Sequence, residues 1–189
     1  MGFTSYFIAI PLPDQFQTQF EKLLSDIQNM GLQVRTVYPK TPHITLLYLG
    51  KQEKNSLKLL KALLIKEKVK DVTDINLSVG GLGTFKKEGY EVLFLNVDYS
   101  PELVDLHNNL TRKLLEFLPT DLFLNQNTQL FHPHMTVGGL TDSDNQLKGL
   151  ITSKMSEINW AFPVTEIAIF GADSTQTPEY QEKLISIPH

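Results

Sequence analysis

The residues Pro42-His43-Ile44-Thr45-Leu46 recur in kind as Pro133-His134-Met135-Thr136-Val137, about half a chain later in a sequence of 189 residues. No other feature restricts the fold as much. Each copy sets an imidazole and a hydroxyl two residues apart among apolar neighbours, and in a β-strand residues i and i+2 share a face. A lone His-x-Thr triplet is usually an accident of strand composition. Two copies, each after Pro and each followed by an aliphatic residue, read most simply as two half-scaffolds that bring the triplets face to face.

The rest of the chain can be read around that pair. Residues 3–10 are aromatic and β-branched up to Pro11 and predict a strand. Pro13-Asp14 opens a helix with Phe16, Phe20, Leu23, Leu24, Ile27 and Met30 on one face and Gly31 as its stop. A short strand is expected at 32–38, broken by Pro39, then a strand at 43–49 ending at Gly50. Residues 55–69 read as a Lys-rich amphipathic helix that buries Leu57, Leu60, Leu63 and Leu64. Strands at 75–82 and 91–98 are expected across a Gly-flanked turn at 83–89.

Ser100-Pro101-Glu102 caps a helix whose apolar face uses Leu103, Val104, Leu110, Leu114, Leu115 and Leu118, ending by Pro119. After an irregular polar stretch at 121–129, the strand at 130–137 carries the second triplet and is interrupted by Gly138-Gly139. A helix near 144–153, a strand near 158–162 and a final hairpin of 164–170 with 182–187 complete the chain. Helices separate pairs of strands, so the predicted class is α+β with largely antiparallel sheets. One bilobal domain spanning 1–189, with a triplet in each lobe, is the expected organisation.

Composition removes several functions. There is no cysteine, which excludes disulfides, thiolate metal sites and cysteine nucleophiles, and makes a cytoplasmic location the expectation. No apolar run is long enough to span a bilayer and no leader pattern opens the chain, so no membrane partner is expected. Net charge is −4, which argues against duplex DNA as a partner but not against one phosphate at a nucleic-acid end. With no large exposed apolar stripe, a monomer is expected.

The triplets suit one chemistry. Histidine titrates near neutrality, so one imidazole can accept a proton while the other donates one. Hydroxyls donate to the non-bridging oxygens of a phosphate. His43 and His134 with Thr45 and Thr136 therefore supply base, acid and phosphate donors, with no metal or cofactor required. His132 shares a strand with His134 and could pair with it on a metal, yet no third ligand at sensible spacing follows. His107 reads as packed in a helix and His189 as exposed at the end. Lys86 and Lys87 sit on the predicted turn and could reach a phosphate, although a solvated loop is commoner. Two other readings stay open: a nucleotide- or RNA-binding protein without catalysis, and a metal-dependent phosphoesterase using His132.

At this point the chain resembles a known family, the 2H phosphoesterase superfamily, in its branch of bacterial RNA 2′,3′-cyclic phosphodiesterases, also called 2′-5′ RNA ligases. The resemblance runs in order through Phe7-Ile8-Ala9-Ile10-Pro11-Leu12-Pro13, the approach from Arg35 to the first triplet, Gly81-Leu82-Gly83-Thr84-Phe85, the second triplet, and Ile167-Ala168-Ile169-Phe170. It implies two pseudo-symmetric lobes around a V-shaped groove, with helices on the outer faces. It makes His43 and His134 general base and acid, without fixing which is which, and makes Thr45 and Thr136 phosphate ligands. The implied reaction opens a 2′,3′-cyclic phosphate to a 2′-phosphate, with 2′-5′ ligation as the related reaction in which a ribose hydroxyl stands in place of water. A small nucleotide or an RNA terminus is the implied partner. One position departs: many members carry Arg three residues after the second Thr, where this chain has Gly139. Arg35, Lys86 and His132 are the candidates to supply the missing substrate contact.

Overall fold

The computed structural model describes residues 3–30, 34–52, 54–66, 75–87, 89–116, 130–141 and 145–188. Among the described residues nine strands form two sheets: β1 Ser5–Pro11, β2 Val34–Thr36, β3 His43–Gly50, β4 Asn76–Lys87, β5 Tyr90–Val97, β6 His134–Leu140, β7 Asn159–Pro163, β8 Glu166–Asp173 and β9 Tyr180–Pro188. The helices are α1 Gln17–Gln28, α2 Lys54–Lys66, α3 Pro101–Leu115 and α4 Asn145–Met155, with a short 3-10 turn at Asp14–Phe16 before α1. One sheet has the order β3-β1-β8-β9, the other β2-β6-β5-β4-β7, and every pairing is antiparallel. The class is α+β, as the order of elements predicts.

Apart from the three-residue β2, the order strand–helix–strand–helix occurs twice, with the two strands adjacent and antiparallel each time. β1 and β3 are one such pair, β5 and β6 the other, and the second member of each carries a triplet. The connecting helices exchange sides. α1 packs on β2 and α4, and α4 on β4, so both cover the five-stranded sheet; α2 meets β9 and α3 meets β3. Phe20, Leu23, Leu24 and Ile27 of α1 are buried at the 3.6-residue spacing of its apolar face. Gln19 Oε1 accepts a 2.7 Å hydrogen bond from Trp160 Nε1 on β7. At the start of α3, Ser100 Oγ accepts from Leu103 N at 3.1 Å, satisfying an amide that the first turn leaves open. α3 buries Leu106 as well as Leu103, Leu110 and Leu114; Leu106 fits the same spacing and belongs to the face.

Three expectations require correction. The turn expected at 83–89 is mostly strand: β4 runs through Lys87, β5 begins at Tyr90, and Gly89 takes the left-handed φ of 79° between them. Position 83 lies within β4 opposite Phe94, and it is glycine because any Cβ there would collide with the Phe94 ring. The strand expected at 130–137 begins only at His134. Pro133 has no N–H to give a ladder and is itself buried, so His132 lies outside the strand. Finally, Gly138-Gly139 do not interrupt β6 but lie within it, paired to β2 and β5. A Cβ on Gly138 would strike the Arg35 carbonyl oxygen, so glycine is what lets β2 close on this edge. Gly31, Leu32, residues 67–69, Leu118, Pro119, 121–129, Asp144 and His189 lie outside the described residues.

Candidate active site

The strands β3 and β6 run against each other where the sheets meet. In both, the triplet alternates: His43 and Thr45 are part-exposed while Ile44 and Leu46 are buried, and His134 and Thr136 are part-exposed while Met135 and Val137 are buried. All four polar residues line one cleft of about 830 Å³ between the sheets. That volume suits a nucleotide-sized ligand. The two triplets are brought to one space, as their repetition predicts.

Each strand carries a β-bulge in the same place. Along β3 the register passes from Ala9 opposite Thr45 to Ile8 opposite Leu47, leaving Leu46 as the extra residue. Along β6 it passes from Phe94 opposite Thr136 to Leu93 opposite Gly138, leaving Val137 extra. A bulge re-phases everything after it. The third residue after each threonine, Tyr48 and Gly139, is thereby turned to the cleft, and both line it. A bulged residue also drops out of the ladder, and its carbonyl needs another donor. Leu46 O accepts from His107 Nδ1 at 2.9 Å, and Val137 O from the Val37 amide at 3.1 Å. His107 is thus a packed residue, stacked on Phe131 with ring centroids 4.1 Å apart.

The imidazoles are held alike. His43 Nδ1 lies 2.8 Å from Thr41 O and His134 Nδ1 lies 2.7 Å from His132 O. A carbonyl only accepts, so Nδ1 carries the proton in both rings and Nε2 is left to exchange one with a ligand. Their surroundings differ. The His43 ring packs on Phe7 and Phe170 with centroids 4.6 and 5.2 Å away, over a stacked Phe7–Phe170 pair. Desolvation pushes His43 down to about 4 against the opposing bond to Thr41 O, and the His134 charge adds to the fall. His134 packs on Phe94 and Phe85 at 5.0 and 5.5 Å. Burial lowers its pKa too, against the bond to His132 O and with the positive charges of His132 and Lys87. Both rings rest neutral at physiological pH.

Residues 12–176 match the family model of the 2′-5′ RNA ligase superfamily, a span that includes both triplets. The chain belongs to that superfamily. The RNA 2′,3′-cyclic phosphodiesterase of Archaeoglobus fulgidus is 28% identical over 156 residues, covering 80% of this chain and 81% of the relative. Among solved structures, TT0787 of Thermus thermophilus superposes with a TM-score of 0.76 at 18% identity, covering 97% of each chain. Escherichia coli LigT in its apo form gives 0.65 at 19% identity, covering 98% of this chain and 96% of that one. Membership in the 2′-5′ RNA ligase superfamily makes this chain an enzyme of the phosphoesterase kind.

The remaining candidates separate within this superfamily scaffold. Arg35 on β2 lines the cleft and is the register partner of Gly139. Lys86 does not line it: Lys86 is opposite Glu91, whose carboxylate is bound at 2.6 Å by Lys148 of α4 on the other side of the sheet. The cleft-facing lysine is Lys87, one residue on. The turn placed too early hid the alternation that decides between them. His132 also stays outside the lining; its ring is 6.2 Å from that of His134, and its backbone carbonyl orients that residue. Sequence reasoning missed Thr41, whose buried hydroxyl on the cleft wall has no partner among the described residues. No pattern in the sequence distinguishes it.

Proposed function

We propose that this chain opens the 2′,3′-cyclic phosphate of an RNA end or nucleotide to a 2′-phosphate, by paired-histidine acid–base catalysis without a metal. The observation that carries this is the matched pair of Nδ1-anchored imidazoles, each with a threonine hydroxyl at i+2, on facing strands of one cleft. His43 is the base: packed on Phe7 and Phe170, it resists protonation and keeps Nε2 free. It takes a proton from water as the oxygen attacks phosphorus. The P–O3′ bond breaks, and His134 gives its Nε2 proton to the departing O3′. The phosphate's negative charge raises the His134 pKa on binding, so the ring takes up its Nε2 proton from solvent and holds it at neutral pH. Thr45 and Thr136 donate to the non-bridging oxygens. With a ribose 5′-hydroxyl attacking in place of water, the same groups form a 2′-5′ linkage.

The name of the Archaeoglobus relative supports the cyclic-phosphate substrate, and LigT has been solved with 3′-AMP and with ATP, ligands of the size this cleft admits. The test is incubation with 2′,3′-cyclic nucleotides, 2′-5′ oligoadenylate and cyclic-phosphate-ended RNA in EDTA, resolving 2′- from 3′-phosphates. Release of 2′-phosphate in the presence of chelator is the expected result. Turnover that appears only when one metal is restored, or ligand binding with no product, would remove this reading in favour of a metal-dependent or non-catalytic one.

A further inference from the structure

The groove face of the five-stranded sheet is ordered in rows by its register. One row holds Thr136, Phe94 and Gly83. The next holds Arg35, Gly139, Val92 and Phe85, one pleat period or about 6.6 Å further along. Beyond it stand Tyr90 and Lys87, again paired. Positive charge gathers at this end, in a protein whose net charge is −4. Arg35 is exposed, lines the cleft, and makes no ion pair or hydrogen bond to any described residue. Lys87 lines it too, with Nζ 5.9 Å from the Phe85 ring centre. Among the described lining residues the carboxylate is Glu179, which belongs to the opposite wall, in the loop before β9.

The Tyr90 ring lies close over Gly139, where even a Cβ would come to 3.3 Å from it, so Arg35 has a flat aromatic neighbour and no side chain beneath it on β6. An exposed guanidinium on the cleft wall, with no partner among the described residues, is a site for an anion, and its planar fork matches two phosphate oxygens at once. It lies one row beyond the hydroxyl that takes the reacting phosphate, a step comparable to that between consecutive phosphates of a nucleotide strand. Resting on the function proposed above, we infer that Arg35, assisted by Lys87, is a second anion subsite for the phosphodiester adjoining the terminal cyclic phosphate. The enzyme therefore prefers an oligonucleotide end to a nucleoside cyclic phosphate.

The experiment compares three substrates: adenosine 2′,3′-cyclic phosphate, the adenylyl dinucleotide ending in the same cyclic phosphate, and that dinucleotide with an uncharged methylphosphonate linkage. Wild-type kcat/KM is expected to be about tenfold higher for the charged dinucleotide than for the uncharged one, the worth of one charge-assisted contact. In Arg35→Ala that ratio falls to near one, and Arg35→Lys restores part of it. Thermal melts confirm that each variant is folded. A wild-type ratio near one overturns the inference, as does an unchanged ratio in Arg35→Ala. Equal losses on all three substrates overturn it by assigning Arg35 to the reacting phosphate. Absence of wild-type turnover on all three removes the proposed function and this inference with it, whereas turnover of all three with no preference removes the inference alone.

Discussion

The two walls of the cleft share a plan and differ in chemistry. β3 and β6 each carry His-x-Thr, each bulge at the next residue, and each turn the third residue after threonine inward. On β3 that residue is Tyr48, packed on a face of Phe7, Ala9, Ala168, Phe170 and Ala172. On β6 it is Gly139, with Arg35 opposite it and Lys87 two strands away. Both walls desolvate their histidine, but the β3 wall does so with an apolar face while the β6 wall also carries Arg35 and Lys87. A repeated backbone thus sets two identical side chains in different surroundings, and the neighbours, not the motif, determine proton affinity.

The strongest way to break this comparison is to remove each histidine. His43→Ala and His134→Ala should each lower kcat/KM by about 10²–10⁴-fold with the melting temperature little changed. Near-wild-type turnover in either variant would make the walls unequal in a way the proposed mechanism does not allow.

A smaller effect tests the bulges. The carbonyl of Leu46 is satisfied by a side chain and that of Val137 by a backbone amide, so only the first can be disconnected by substitution. His107→Leu should cost about 1–3 kcal/mol, the penalty for an unpaired buried acceptor. Chemical denaturation measures it, and an unchanged midpoint would show that the bulge stands without this support.

The smallest effect concerns proton affinity itself. The His43 pKa is about 4 in the fold against 6.5 outside it, so the neutral ring's contribution to stability is complete above pH 6.5 and is lost as pH falls towards 4. Between pH 7 and pH 5, His43→Gln should therefore lose less melting temperature than wild type, by at least about 2 °C. Parallel curves for the two proteins would mean that His43 is not desolvated as its packing on Phe7 and Phe170 requires.

Much of this was legible in the sequence because it depends on short spacing. The i, i+2 relation put His43 with Thr45 and His134 with Thr136, and a 3.6-residue rhythm marked α1 and α3. What stayed hidden depends on partners far along the chain. The bulges arise from how Ile8-Ala9 and Leu93-Phe94 count against their neighbours, which no local pattern records. The choice of Lys87 over Lys86 needed the end of β4, and Gly83 resembled a turn residue although it is there to admit Phe94. Arg35 and Gly139 meet only because β2 crosses to the second sheet.

That crossing has a mechanical consequence. β2 lies between α1 and β3 in the chain, yet its three residues pair with β6, and the Val37 amide extends the attachment to Val137. The segment leading into one histidine strand is stitched to the other. Only residues 38–42 then join the two walls along this stretch, and so short a connection limits how far the mouth can widen.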